Sequence, residues 1–369
     1  MERAIKTRIY PTNEQQVLIN KTFGCCRFVY NNALQRQIVR HTQEQRFVGK
    51  YEMCRWITEM KLQYEWLYEV DHRAIQQAIF HLESAYKKFF KGGGFPKFRK
   101  KHGKQRYTTN SAMKIEPHYV RVPKVGLIRT YEKLDETIKP NSITISMQAG
   151  IYFASIQYDD GKDASAPNGC SSVGIDLGIK ELATLSDGTV IHNPKHTKKH
   201  EEKIKKLQRK LAQQKKGSNR RNITKQKLTR AHIKIANNRK DYLHKATTMI
   251  TKSYGYVAIE NLNVNGMRKN HSLAKSISDC GFYEFRRQLE YKSKWYGCKI
   301  AVIGIFEPSS KACSVCGHIK HDLTLADRKW CCEKCKTKHD RDINAARNIL
   351  SFSIAPTGSR EVDAKKQGS

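Results

Sequence analysis

Three acidic residues and four cysteines, far apart along the chain, carry the chemistry legible in this sequence. Asp176 lies in Gly174-Ile175-Asp176-Leu177-Gly178 and Glu260 in Ala258-Ile259-Glu260-Asn261-Leu262, each at or near the end of a short apolar run. Asp342 lies in His339-Asp340-Arg341-Asp342-Ile343-Asn344-Ala345-Ala346-Arg347-Asn348, where a helix is expected to begin. A carboxylate at the end of an apolar strand is costly unless a cation neutralises it. Carboxylates from three elements can hold two Mg²⁺ ions roughly 3.5–4 Å apart, one activating the attacking water and one stabilising the leaving 3′-oxygen of a phosphodiester. Mg²⁺ suits such hard oxygen ligands. Asp176, Glu260 and Asp342 are therefore the candidate catalytic residues and Mg²⁺ ligands. Asp340 competes with Asp342 for the third place, but its position suits a helix N-cap. Gly178 is expected to let a phosphate backbone approach Asp176. No Ser/His/Asp or Cys/His arrangement and no P-loop competes with this reading.

The cysteines Cys313-Ser-Val-Cys316 and Cys332-Glu-Lys-Cys335, fifteen residues apart, have the C-x2-C spacing of a zinc ribbon. Cys332 is the better third ligand than Cys331, because only Cys332 has the two-residue spacing to Cys335. Four thiolates leave no open coordination position, so one Zn²⁺ here is expected to be structural. The nearby His318, His321 and His339 read as surface or nucleic-acid-facing residues.

Charge points to the substrate. The 369 residues hold 69 Lys and Arg against 34 Asp and Glu, a formal net charge of +35. Such a balance repels itself in the compact state unless a polyanion neutralises it, so nucleic acid is the expected partner. Two stretches concentrate the effect. Phe95-Pro96-Lys97-Phe98-Arg99-Lys100 interleaves cations with aromatics, as phosphate contact plus base stacking requires, although a solvated loop has the same composition. Residues 195–245 hold nineteen Lys or Arg and three acids. Two amphipathic helices are expected there, as an antiparallel hairpin around a turn at 216–219. One stripe holds Ile204, Leu207 and Leu211, the other Leu228, Ala231, Ile235, Tyr242, Ala246 and Met249. The candidate nucleic-acid contacts are Lys97, Arg99, Lys100, Lys205, Lys206, Arg209, Lys210, Arg220 and Arg221. No apolar stretch reaches the roughly 18 residues of a membrane span, and the N-terminus lacks the apolar core of a signal peptide. Seven of the eleven cysteines lie outside the ligand pattern, and a reducing, cytoplasmic setting is expected.

These residues need a frame. Residues 2–9 read as a strand, and Thr12-Asn13-Glu14-Gln15 as a capping box. Val17, Leu18, Phe23, Phe28, Leu34 and Ile38 suggest one helical stripe, Ile75, Ala78, Ile79, Leu82, Tyr86 and Phe89 another, so 11–92 reads as a helical bundle. Residues 118–158 alternate as strands, with a turn at Ala149-Gly150. The first strand is expected to join them in a β-barrel that carries the bundle as an insertion. Asp159 to Ser172 reads as a linker. Beyond it, three strands, a helix, a strand at 256–260, a helix, a strand at 298–305 and a final helix follow the order of an RNase H-like α/β domain. The fold class is thus α+β and multidomain.

With these motifs in this order, the chain resembles the TnpB family of transposon-encoded proteins, relatives of the type V CRISPR nucleases. The resemblance rests on Arg8-Ile9-Tyr10-Pro11-Thr12, Phe23-Gly24-Cys25-Cys26-Arg27-Phe28-Val29-Tyr30-Asn31, Phe95-Pro96-Lys97-Phe98, the segments around Asp176 and Glu260, Pro308-Ser309-Ser310-Lys311, the cysteine pairs, Arg328-Lys329-Trp330 and the segment around Asp342. It implies an RNA-guided DNA endonuclease with a RuvC domain, whose carboxylates map onto Asp176, Glu260 and Asp342. The implied partners are a guide RNA from the transposon end and double-stranded target DNA beside a short transposon-associated motif. Base pairing would read the sequence and the protein the backbone shape. The implied domains are a wedge barrel (1–10 and 93–160), a recognition lobe (11–92), a RuvC domain (170–308 and 338–355), a zinc ribbon (309–337) and a short polar tail (356–369). No membrane is implied, a nucleoid-associated setting is, and the oligomeric state stays open, with a monomer expected. Relatives without the acids act as guided repressors. All three acids are present here, which argues against that role, and no tyrosine sits in a His-rich motif as a covalent transposase would require.

Overall fold

Burial alternates along the first strand, so that one of its sides faces the core of the first unit. The computed structural model describes residues 1–163, 171–304, 307–324 and 326–354, in two units, Met1–Lys162 and Asp163–Ser369. The expected tail at 356–369 and residues 164–170 of the expected linker lie outside the described residues.

In the first unit, β1 (Glu2–Tyr10) turns Thr7 and Ile9 inward. A capping box then starts α1 (Asn13–Thr42): Gln15 N donates to Thr12 Oγ1 at 3.3 Å, and Thr12 N donates to Gln15 Oε1 at 3.0 Å. The helix buries Ile19, Phe23, Cys26, Val29, Tyr30, Ala33, Leu34 and Gln37. Val17, expected on this stripe, is exposed, because a 3.6-residue period through Phe23 and Leu34 selects Ile19 instead. Next come α2 (Lys50–Gln63) and α3 (His72–Phe90), the latter burying Ile75, Ala78, Ile79, Leu82 and Tyr86 as its stripe requires.

Six strands follow: β2 (Gln105–Thr109), β3 (Lys114–Glu116), β4 (Tyr119–Val122), β5 (Gly126–Thr130), β6 (Pro140–Gln148) and β7 (Ile151–Asp159). The sheet order is β2-β6-β7-β1-β5-β4-β3, so β1 does pair with the later strands, antiparallel to β7 and β5. The β6–β7 turn holds Ala149 and Gly150 at φ 51° and 75°, as a two-residue hairpin of matching twist needs. Among the described residues no ladder joins β2 to β3, the two edges, so the expected barrel is a curled but open sheet. Only residues 110–113 separate these edges in the chain, which draws them near each other without pairing. Helices and sheet share one hydrophobic core rather than two. Asp71 stitches them: it caps α3 through Arg73 N and Ala74 N, and accepts from Thr109 Oγ1 of β2 at 2.6 Å.

The second unit is built on β8 (Ser172–Leu177), β9 (Glu181–Leu185) and β10 (Val190–His192), an antiparallel meander. A four-residue turn of helix, α4 (His196–Lys199), leads to α5 (Glu201–Gln213) and the 35-residue α6 (Asn219–Ser253). Then come β11 (Tyr256–Glu260), α7 (Val264–Met267), α8 (His271–Cys280), α9 (Phe282–Tyr296) and β12 (Lys299–Ile303). A small hairpin follows, β13 (Lys329–Cys331) and β14 (Lys338–Asp340), and then α10 (Arg341–Ile354). The five-stranded order is β10-β9-β8-β11-β12, with β11 parallel to both β8 and β12. The C-terminal half of α6 and α9 cover one face through Leu243, Ala246, Ile250, Phe285 and Leu289. Met249, expected on that stripe, is exposed, and Ile250 takes its place. The other face receives α10, where Ile349 meets Ala258 and Ile303.

Candidate active site

Strand register brings the first two acids together. Ile175 of β8 stands opposite Ile259 of β11, so Asp176 and Glu260 emerge side by side where these parallel strands end. Both share the parity of Gly174 and Ala258, whose face α10 covers. At Gly174 a Cβ would lie 1.9 Å from the Ala346 carbonyl oxygen, so the α10 backbone rests directly on the strand. The first turn of α10 carries Asp342 to the same edge. Burial first, then the charges of Asp342 and Glu260, push the Asp176 carboxyl up to about 7. Burial also raises Glu260. Gly178, expected to admit a phosphate, lies half-buried in the turn after β8: its N–H donates to Leu182 O at 3.3 Å, and a Cβ there would meet Glu181 O at 3.0 Å.

Asp340 and Asp342 divide their roles. Asp340 Oδ1 accepts from the backbone N–H of Asp342 (3.1 Å) and Ile343 (3.2 Å), so it caps α10. Asp342 instead meets Arg328, whose Nη1 donates to its Oδ1 at 3.3 Å. Two buried amides then clamp α10 to the loop before the first cysteine pair. Asn344 donates to Ala312 O at 2.8 Å and accepts from Ser314 N at 2.9 Å, while Asn348 donates to Ser309 O at 2.7 Å and Ala312 O at 2.6 Å.

That loop leads to the thiols. The sulfurs of Cys313, Cys316, Cys332 and Cys335 all lie within 4.8 Å of one another, with Cys313–Cys335 at 3.5 Å and Cys316–Cys332 at 3.6 Å. Tetrahedral ligands at a Zn–S distance of about 2.3 Å would stand about 3.8 Å apart, so the donor set fits a zinc-like ion. Cys331 stays exposed and outside the cluster. His339, expected at the surface, is buried: its Nε2 lies 3.1 Å from Cys313 Sγ, and its ring packs on Trp330 at 4.7 Å. Strand β14 turns it inward. His318 is half-buried near Glu333 and His321 is exposed.

The basic candidates fall in two places. In the first unit Lys97 and Lys100 are exposed, whereas the Arg99 guanidinium lies over the Tyr30 ring, 3.8 Å from its centroid. In the second unit Lys205 pairs with Glu201 at 3.2 Å, and Arg209 is exposed. Lys206, Lys210 and Arg220 rim a groove of about 710 Å³ between α5 and α6, lined also by Leu207 and Ile223. Arg221 caps the end of α5 instead, donating to the carbonyls of Leu211 and Gln214. Motif reading missed Gly174, Asn344 and Asn348 as positioning residues, although all three lie inside the acid-bearing segments.

Residues 155–271 match a family described as "Probable transposase" (OrfB of IS605), 282–349 one described as "Cas12f1-like, TNB domain", and 1–46 a "Helix-turn-helix domain". The last span forms β1 and the single helix α1 here. A protein of Streptomyces pristinaespiralis named "Putative RNA-guided DNA endonuclease" is 39% identical over 96% of this chain and 90% of its own. InsQ of Escherichia coli (strain K12), given the same description, is 34% identical over 95% of this chain and 92% of its own. The "TnpB-like protein L770" of Acanthamoeba polyphaga mimivirus is 23% identical over 95% and 73%.

Proposed function

The chain belongs to the TnpB family, and on that premise we propose that it is a transposon-associated, RNA-guided DNA endonuclease whose hydrolytic site is Asp176, Glu260 and Asp342. The observation that carries the site assignment is electrostatic. Asp176 of β8 feels the charges of Asp342 from α10 and Glu260 from β11, and burial, then that repulsion, raises its carboxyl to about 7. Like charges held together in a partly buried place are costly alone and suit divalent cations. Asp176, close to both other acids, would hold two Mg²⁺ ions together with Asp342 and Glu260. When bound, these supply Lewis-acid stabilisation of the attacking and leaving oxygens of a phosphodiester. The protein's own part is to fix the three carboxylates, through strand register, the close approach at Gly174 and the Asn344–Asn348 clamp. Arg341 and Arg328 offset part of the negative charge around Asp176.

The remaining parts take roles by the same reading. The curled sheet with β1 is the wedge, α1–α3 the recognition lobe, and the second unit a RuvC domain interrupted by a structural zinc ribbon at 309–337. The partners are a guide RNA from the transposon end and double-stranded DNA beside a short flanking motif. Among the described residues no helix is long and apolar enough to cross a membrane.

The test is cleavage of a matched plasmid by RNA-loaded protein with Mg²⁺. Asp176→Ala, Glu260→Ala and Asp342→Ala should each abolish cutting while RNA and target binding survive; Asp340→Ala should still cut. Near-normal cutting by Asp342→Ala would overturn the site. Binding of matched target without any metal-dependent cutting by the wild type would make the protein a guided repressor instead.

A further inference from the structure

Five cations of the first unit converge on one small cavity, and among the described residues no carboxylate pairs with them. The cavity, about 220 Å³, is lined by Phe23 and Arg27 of α1, by Arg99, Lys100 and Lys104 of the loop after α3, and by Arg106 of β2. Among the described residues none of these five cations makes an ion pair, although Lys21, Arg36, Lys87 and Lys114 of the same unit each do. Cations gathered without counter-charge repel one another unless an anion enters. The imidazole of His81 senses the result: burial, then the charges of Arg99 and Arg106, push it down to about 4.

The cavity is also built in advance. Asn31 of α1 grips the loop from both sides, donating to Arg99 O at 3.0 Å and accepting from Arg99 N at 2.8 Å. The Tyr30 ring supports the Arg99 guanidinium. Gly103 N–H donates to Lys100 O at 3.0 Å, closing a turn that presents Lys100 and Lys104 together. Phe23, nearly fully buried, supplies an apolar wall.

Size narrows the ligand. Sites that enclose a drug-sized molecule run to about 300–1,000 Å³. At about 220 Å³ this cavity takes one charged group of a longer polymer rather than a whole nucleotide in isolation. Guanidinium forks match phosphate oxygens in geometry as well as charge. We infer that this cavity is a preformed socket for a single phosphodiester group of the bound RNA, held without reading its sequence. Arg27 from α1 and Arg106 from β2 clasp the phosphate, and Lys100 and Lys104 add charge around it. The inference rests on the RNA-guided reading for the identity of the strand. The socket itself needs no nuclease activity.

The experiment has two arms, both on the full chain. In the first, inorganic phosphate is titrated into RNA-free protein against chloride at matched ionic strength, and thermal unfolding is followed. Phosphate should raise the Tm of the wild type and leave Arg27→Gln/Arg106→Gln unshifted. In the second, RNA affinity is measured across a salt series. The double variant should bind about ten- to a hundredfold more weakly, as removal of charge-assisted hydrogen bonds implies. Its slope of log affinity against log salt should shrink by about 0.7 for each phosphate no longer neutralised. Arg106→Gln alone, at an exposed position, should show a smaller weakening of the same kind and guards against a folding defect in the double variant. Equal phosphate shifts in wild type and variant, or an RNA affinity and slope unchanged by the variant, would each overturn the socket. A weakening confined to target DNA would overturn its assignment to RNA. Because the phosphate arm requires no cutting, it can fail while guided cleavage stands, and succeed where cleavage is absent.

Discussion

Replacing Gly174 by Ala adds one methyl group at the point where α10 touches β8. That carbon would stand 1.9 Å from the Ala346 carbonyl oxygen and 2.8 Å from Leu350 N, whereas real Cβ atoms essentially never come under 3.0 Å. Relief needs a shift of at least 3.0 − 1.9 = 1.1 Å. The strand cannot retreat, since Val173 and Ile175 are fully buried on its other face. The helix must therefore move, and Asp342 lies one turn before Ala346 on the same helix. Overpacking of this kind costs about 1–3 kcal/mol in stability. A displacement of about 1 Å at a reacting centre costs on the order of a hundredfold in rate. Single-turnover cleavage of a matched plasmid by Gly174→Ala should therefore fall by about that factor, with a Tm lowered by a few degrees and RNA binding unchanged. Wild-type cleavage at wild-type Tm would refute the claim that this close approach positions Asp342.

The remaining expectations concern the clamp, the acids, the thiols and the hairpin. Asn344→Ala leaves the Ser314 N–H without its partner and should cost about 1–3 kcal/mol, read as a lower Tm together with slower cleavage; a change in neither would remove the clamp. Because Asp176 is raised to about 7, the metal-free folded state binds that proton more tightly than the unfolded chain does, and loses stability as pH rises from the ordinary carboxylate range through about 7. Metal-free Asp176→Asn should thus be more stable than wild type at pH 8, by on the order of 1–4 kcal/mol, with the two converging near pH 4; parallel curves would contradict the raised value. For the same reason, half-maximal cleavage should require more Mg²⁺ at pH 6 than at pH 8. Metal analysis should find one zinc per chain, and Cys316→Ser or chelation should unfold the ribbon, given apparent binding energies of roughly 10–16 kcal/mol in small zinc peptides; active protein with far less than one zinc would exclude a structural zinc. Reversing Lys206, Lys210 and Arg220 to Glu should weaken nucleic-acid binding equally across sequences and flatten its salt slope by about 0.7–0.9 for each phosphate no longer neutralised; identical slopes would make the groove a merely solvated face.

Much of this protein follows from local rules that a sequence carries openly. The C-x2-C pairs announce a four-thiol cluster because loop geometry between ligands is short and stereotyped. The capping box at Thr12, the Ala149-Gly150 turn and the α3 stripe depend on neighbours within a few residues, and each forms where the pattern places it. Asp176 and Glu260 stand out because an acid after an apolar run is costly without a cation, and Asp342 because it opens a helix beside an acid already placed to cap it. What the tertiary structure alone decides is which surfaces meet. Gly174 looks like a motif residue until α10 lies on it. His339 turns inward because strand pairing between β13 and β14 fixes its side, a register that no periodicity over three residues could specify. Arg221 carries the same charge as Arg220, yet one faces the end of α5 and the other a groove. Val17 and Met249 are apolar at positions near the right phase, and packing chose their neighbours instead. The strands and the helices of the first unit read as separate blocks, yet they bury one common core, because sequence separation says nothing about shared surface. The proposed phosphate socket is the sharpest case: Arg27, Arg99 and Arg106 are scattered cations in the chain, and only folding brings them to the lining of one cavity.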